Sequence, residues 1–231
     1  KELVATLIGT DPLTDIALLR VNSPEPLAYV HWGDSEAARV GDWVIAVGNP
    51  LGQGFSVSSG IISAKGRALQ GSYDDYIQTD AAINRGNSGG PLFNMDGEVI
   101  GVNTAIYSRT GGSIGLGFAI PSKQAAKIVK QPREFGTTRR GWLGVTIQTV
   151  TDEIAEGLGL EKATGALIST VHQNSPARKA GIEAGDIILE VNGDLVPNST
   201  QLRRMVAATG VDVEVPLTVW RAGKKVKLSV T

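Results

Sequence analysis

A serine set among glycines, Gly86-Asn87-Ser88-Gly89-Gly90-Pro91, is the strongest chemical signal in these 231 residues. A serine hydroxyl is a poor nucleophile. It needs a base to take its proton and a preorganised anion site for the tetrahedral intermediate. Glycines around it let the chain close into a tight loop whose main-chain amides converge on one oxyanion. The segment Gly86, Asn87 and Ser88 is the candidate oxyanion hole, with the Gly86 and Ser88 amides as donors. Gly89 and Gly90 keep side chains out of the path of a substrate backbone, and Pro91 fixes the chain entering the next strand. Small residues around a serine also make an ordinary turn. Here the full string sits between a strand-like run and a hairpin, which favours acyl transfer.

The rest of the composition narrows the chemistry. With no cysteine there is no thiol nucleophile, disulfide framework or thiolate metal site. His31 and His172 lie far apart, and neither has a carboxylate or second histidine at ligand spacing, so no metal is predicted. Both read as surface or half-packed residues. No cofactor is implied. A formal net charge of -1 gives no basic field for nucleic acid. No apolar run approaches the ~20 residues of a transmembrane helix.

The elements that must position Ser88 are short. Strand-like runs cover 16–21, 43–47, 60–64, 76–79, 91–93 and 99–104, separated by Gly, Pro, Asn and Asp. Asn94-Met95-Asp96-Gly97 reads as a hairpin turn. Strands at this spacing argue for a barrel or sandwich. A helix is predicted from Ser122 as N-cap, with Ala125, Ala126, Ile128 and Val129 on one face, ended or kinked by Pro132. The polar stretch 131–141 is the linker candidate. Beyond it lie strands at 142–147, 166–171, 187–191, 213–220 and 225–230. A short helix fits after Ser175-Pro176, and a second over 200–208 capped by Ser199. This half is α+β. The chain opens at Lys1 without a targeting pattern, already strand-like over 3–8, and preceding sequence is expected. The glycine-containing loops 53–56 and 109–113 are exposed connections that could act as lids.

The loop 86–91 resembles the nucleophile loop of chymotrypsin-like proteases. Gln78-Thr79-Asp80-Ala81-Ala82-Ile83-Asn84 before it and Gly115-Leu116-Gly117-Phe118-Ala119-Ile120-Pro121 after it resemble the HtrA/DegP family specifically. The resemblance runs from about residue 8 to the C-terminus. It implies a mainly β chain: a chymotrypsin-like double β-barrel protease domain over 1–130, N-terminally incomplete, a linker over 131–141, and an α+β PDZ domain over 142–231.

Carried across residue by residue, the resemblance makes Asp15, in Thr14-Asp15-Ile16-Ala17-Leu18-Leu19, the carboxylate that orients the catalytic imidazole. A turn or cap role is open to both Asp11 and Asp15; the apolar strand after Asp15 favours it. The departure is the histidine. In this fold it precedes the aspartate, and none precedes Asp15 here, so the base is expected upstream of Lys1 and this segment alone should be nearly inactive. Thr104, Ala105, Ile106, Tyr107 and Ser108 resemble the segment that pairs with an extended substrate. Ile114, Gly115, Leu116 and Gly117 resemble the far wall of the primary pocket. Ordinary barrel core remains open for Ile106 and Ile114. Ala82 stands where a trypsin-like enzyme carries an acid, so small aliphatic side chains are predicted before the cleaved bond.

The second half, through Ser175-Pro176-Ala177, Gly181 to Ile188 and Val191-Asn192-Gly193, resembles PDZ domains. Trp142, Leu143, Gly144 and Val145 resemble the PDZ carboxylate loop, with Leu202, Met205 and Val206 lining the groove unless they are core. Arg139 and Arg140 serve either the carboxylate or the linker. The family implies an ATP-independent endopeptidase of protein quality control in the bacterial periplasm, a homotrimer or larger, acting on unfolded or misfolded proteins and C-terminal peptides. Two other readings stay open: a non-catalytic chaperone that kept the fold, and a PDZ scaffold with a structural first half. A histidine ahead of Asp15 in the gene, and covalent labelling of Ser88, discriminate them.

Overall fold

The computed structural model describes residues 3–52, 54–69, 71 and 73–231. Lys1 and Glu2, at the start of the expected protease domain, and Gln53, in one of the two expected loops, lie outside the described residues. Two compact units divide at Thr138/Arg139.

In the first unit, β1 (Ala5–Asp11) and β2 (Ile16–Val21) form a two-stranded hairpin. Then come β3 (Trp43–Gly48), β4 (Ser56–Arg67), β5 (Tyr76–Thr79), β6 (Pro91–Phe93), β7 (Val99–Ile106) and β8 (Gly117–Pro121). These six close a barrel in the order β3-β4-β5-β8-β7-β6. The period of two along each strand points Val44, Ala46, Ile62, Ile77, Leu92 and Ile100 into its interior. Helix α1 (Ser122–Phe135) follows β8 directly and buries Ala125 and Ile128 against Ile16 and Ile120. That small cluster matters for function, because Ile16 anchors the hairpin tip that carries Asp15.

Two details of α1 differ from the sequence reading. Ser122 is the first helical residue and caps nothing; its hydroxyl donates to the Gly33 carbonyl at 2.7 Å. Pro132 does not end the helix. The helix runs one further turn to Gly136, whose φ of 69° and N–H bond to the Pro132 carbonyl close it. The ring lies against Gly9 of β1, where a Cβ would sit 2.7 Å from the Pro132 Cβ.

Tyr76 meets Phe118 edge-on at 6.1 Å. Burial, then the neighbouring Asp74 carboxylate, push its phenol up to about 12. The fold therefore favours the protonated phenol, and that stabilisation is complete below pH 10 and lost as pH rises through 12. We expect absorbance titration at about 295 nm to show one tyrosine ionising late, and Tyr76→Phe to remove both that transition and its share of the alkaline loss of stability.

The second unit is a six-stranded sheet with short helices. Its elements are β9 (Val145–Thr149), α2 (Asp152–Gly157), β10 (Ala166–Val171), α3 (Pro176–Lys179), β11 (Ile187–Val191), β12 (Asp194–Leu195), α4 (Ser199–Ala208), β13 (Val215–Arg221) and β14 (Lys224–Val230). The order is β14-β13-β11-β10-β9, with β12 on β11. Ser175 caps α3 as expected, accepting from the Arg178 amide at 3.1 Å. The α4 cap is Asn198, which accepts from Gln201 N at 2.9 Å, while Ser199 bonds Thr149 instead. Sequence reading did not anticipate α2, whose Ala155 packs on Val150, Ile187 and Leu189.

Candidate active site and peptide groove

Ser88 lies on the connection into β6, exposed, and donates its hydroxyl to the Thr104 carbonyl at 3.0 Å. Directly after it the loop is laced to β7: Gly89 N donates to Asn103 O at 2.8 Å, and Asn103 N to Gly90 O at 2.9 Å. The two glycines after the serine have different reasons. Gly89 has open space around it but a φ of 83° that disfavours other residues. At Gly90 a Cβ would overlap the Val47 carbonyl of β3, so this glycine clears the barrel wall and not the substrate path.

Before the serine, Asn84-Arg85-Gly86-Asn87 is a β-turn closed by Asn87 N to Asn84 O at 3.0 Å. Gly86 has a φ of 102°. A positive φ at the third residue is the signature of type II; type I would need about −90° there. The two differ by a flip of the Arg85–Gly86 peptide, so the observed turn fixes the side on which the Gly86 N–H emerges. Among the described residues neither the Gly86 nor the Ser88 amide donates to a protein acceptor. Asn87 is buried, its amide donating to the Ala82 carbonyl at 3.3 Å, and cannot itself face a ligand.

Thr104 is the hinge of the site. Across β7 and β8, Asn103 pairs with Ala119 and Ala105 with Phe118, so Thr104 is an extra, bulged residue. A bulge re-aims groups that a regular strand would spend on its partner. Here the carbonyl turns to Ser88, and the hydroxyl donates to the Asp15 carboxylate. Asp15 sits at the tip of the β1–β2 hairpin with a left-handed φ of 57°. Asp11 is different: buried, it accepts from the Thr14 hydroxyl at 2.6 Å within the same turn. The structure thus brings Ser88, Thr104 and Asp15 together and gives Asp11 to the hairpin.

Neither histidine belongs to this cluster. His31 O accepts from Val99 N, five residues before Thr104 on β7, which is roughly 16 Å along a strand. His172 belongs to the second unit, where its Nε2 lies 3.3 Å from the Thr146 hydroxyl.

The two segments expected to bind substrate lie at the end of β7 and on the connection from it into β8. β7 pairs with β6 only as far as Val102, so among the described residues no strand pairs with 104–106 on that side, where the Thr104 carbonyl meets the Ser88 hydroxyl. Ile106 packs partly on the barrel core, whereas Tyr107 and Ile114 are exposed. Ala82 presents no charge, and its carbonyl accepts from the Ser58 hydroxyl at 2.9 Å. Sequence reading missed two residues here. Ile83 is buried against Gly117, where a Cβ would come within 2.7 Å of its Cγ1. Asn84 accepts from Ser113 N at 2.8 Å. Both stand in the string 78–84, and their position directly before the turn is the signal that could have found them.

In the second unit Trp142 is exposed and Gly144 takes a φ of 75°. The Leu143 and Gly144 carbonyls accept from Ala177 N and His172 N, both at 2.9 Å. Among the described residues the Leu143 and Gly144 amides donate to no protein acceptor, so donors are what this loop offers an anion. A cavity of about 200 Å³ opens beside it, lined by Arg140, Trp142, Leu143, Val206, Val213 and Leu217 among others. β9, which begins at Val145, ends the sheet and exposes one edge. Met205 and Val206 are half-buried, but Leu202 is spent on the core.

A trypsin-like peptidase domain model matches residues 1–102, and a PDZ domain model matches 141–231. A probable periplasmic serine endoprotease DegP-like from Brucella suis is 52% identical over 100% of this chain and 45% of its own length. The protein of the same description from Rickettsia prowazekii is also 52% identical, over 99% and 46%. The chain thus spans about half the length of the curated relatives it matches. Among solved structures, the HtrA-type protease AlgW with decapeptide superposes with a TM-score of 0.85 at 42% identity, covering 100% of this chain and 71% of that one. A serine endoprotease from Yersinia pestis gives 0.72 at 34% identity, covering 99% and 75%.

Proposed function

The chain belongs to the HtrA-type family of trypsin-like serine proteases with a PDZ domain, and from that premise we propose that it forms the nucleophile half and a PDZ module of an ATP-independent serine endopeptidase. The observation that carries this is Thr104, which touches Ser88 through its carbonyl and Asp15 through its hydroxyl. Ser88 is the nucleophile. An imidazole from residues outside these 231 takes its proton and Asp15 orients that ring, because the base of this fold precedes the aspartate and no histidine here precedes Asp15. The Gly86 and Ser88 amides receive the oxyanion of the tetrahedral intermediate. Collapse expels the amine with the proton returned by the imidazole, leaving an acyl-serine that water then cleaves.

The resting hydroxyl occupies the Thr104 carbonyl. A substrate strand laid along 104–108 brings its own N–H to that carbonyl and frees the hydroxyl for the base. Ala82, Ile83, Ile114, Leu116 and Gly117 shape an uncharged pocket for a small aliphatic side chain. In the second unit the amides of 143–145 take a C-terminal carboxylate and the β9 edge takes the peptide as an added strand, beside Met205 and Val206. Unfolded or misfolded proteins with exposed termini fit such a pair of sites. The relatives' names support a periplasmic setting, and the family a homotrimer or larger assembly.

The test uses the full-length protein. A fluorophosphonate is expected to label Ser88, and peptides with Val or Ala before the cleaved bond to turn over faster than Lys or Arg peptides. Faster cleavage at basic sites would overturn the pocket assignment, and absent labelling would leave only a peptide-binding protein.

A further inference from the structure

The strand edge that β9 offers a peptide has two faces. Val145 and Ile147 pack on the core with Met205 and Val206 of α4, and the Thr149 hydroxyl reaches Ser199 at the head of that helix. Thr146 and Gln148 alternate with them and stand exposed on the opposite face. There the Thr146 hydroxyl lies 3.3 Å from His172 Nε2. The imidazole is placed from two directions. His172 N donates to Gly144 O at 2.9 Å, and the Trp142 ring meets the imidazole edge-on at 6.5 Å. Trp142 is itself seated over Gly144, where a Cβ would come within 2.9 Å of the indole. Neither β9 nor β10 carries a charged residue. The chain leaving β10 reaches Arg178 and Lys179 of α3, whereas the nearest acids in sequence, Asp152 and Glu153, follow the far end of β9, roughly 10 Å beyond Thr146.

We propose that Thr146 and His172 read the residue before a peptide's C-terminus and select a carboxylate side chain, Asp or Glu, at that place. This rests on the amides of 143–145 and the β9 edge taking a C-terminal peptide, and it narrows which termini bind. A terminal carboxylate held at 143–145 lies at the start of β9, so the added strand runs antiparallel to β9. Its side chains then alternate: the last faces Met205 and Val206, and the one before it faces away, opposite Thr146. A hydroxyl has one proton to give. With His172 Nε2–H donating to the Thr146 oxygen, that proton is free for an acceptor, and a carboxylate is the strongest one a side chain can bring. Asp or Glu meets two donors there and no like charge on either strand.

The test titrates labelled peptides into the full-length protein carrying Ser88→Ala, so that the ligand is not cleaved. The peptides end in valine with a free carboxyl group and differ only in the residue before it. Glutamate is expected to bind about 5- to 10-fold tighter than alanine, with glutamine between them. Thr146→Val and His172→Phe keep side chains of similar size. Each should reduce that ratio below about twofold while leaving the Kd of the alanine peptide within about twofold. A ratio near one without these changes, or a ratio that either variant keeps, would overturn the assignment. So would a loss shared equally by both peptides, which would make the pair a support of the carboxylate loop. Amidating the C-terminus separates the premise from the proposal. If it weakens neither peptide, the loop holds no terminus and both readings fall. Binding that needs the free carboxyl but ignores the residue before it sinks the selection of Asp or Glu alone.

Discussion

Ser88→Ala in the full-length protein is expected to lower kcat by about 10⁶-fold, the scale on which a nucleophile and its partners act as one unit. The fold should survive the change. The Ser88 hydroxyl is exposed and makes one hydrogen bond, to the Thr104 carbonyl, so its loss costs at most about 1 kcal/mol of stability. The amides of Gly86 and residue 88 stay where they are, because the turn 84–87 and the Gly89–Asn103 bond hold them without the hydroxyl. The variant should therefore still bind a substrate strand, and its PDZ unit should bind C-terminal peptides with unchanged affinity. Rapid-quench turnover, thermal unfolding and peptide titration on one preparation check all three. Residual activity above about one part in a thousand would mean that another group attacks the substrate, and the mechanism above would fall. Neighbouring glycines cannot serve this purpose. At Gly90 a Cβ would strike the Val47 carbonyl, so a loss of activity there would report on barrel packing and not on chemistry.

That distinction shows what the sequence could and could not carry. The geometry of the proposed nucleophile loop was legible because its requirements are local: a tight turn, free amides and a serine hydroxyl all lie within six residues. Asp15 stood out from Asp11 through its neighbour, since an apolar strand starts at Ile16, the one residue of β2 that the core buries. Thr104 was named only as substrate-pairing backbone. Its second task, holding Asp15, depends on a bulge in the β7–β8 register, and that register is set by strands far away in sequence. The two helix caps failed for a related reason. Ser122 and Ser199 are good capping residues, yet each found a tertiary partner, Gly33 O and Thr149. Pro132 sat inside α1 because Gly9, more than a hundred residues earlier, leaves room for its ring. Leu202 looked like a groove residue by type, but the core took it.

Asp15→Asn is expected to cost about 10⁴-fold in kcat/KM, and the cause lies in which atom faces the base. One carboxylate oxygen accepts from the Thr104 hydroxyl; the other is free to accept from the ring N–H of an imidazole. Asparagine offers one oxygen and one NH₂ group. With the Thr104 hydroxyl donating, the oxygen is drawn to it and the NH₂ group faces the ring. The ring must then accept on that side, which puts its proton on the nitrogen meant to take one from Ser88. Asparagine is the right replacement, because residue 15 holds a φ of 57°, a left-handed conformation that Asn and Asp tolerate and that strains alanine. Stability should accordingly change little, whereas Asp15→Ala would mix strain with lost chemistry. Thr104→Val separates the two halves of the argument. Without the hydroxyl, the amide introduced at position 15 is no longer held in one orientation, so the double variant should recover part of the activity that Asp15→Asn loses. The measurement is kcat/KM for the two single variants and the double, on full-length protein at neutral pH. A loss below about tenfold for Asp15→Asn would show that this carboxylate orients no base. A double variant no better than the single would show that Thr104 does not set which way the residue at position 15 faces.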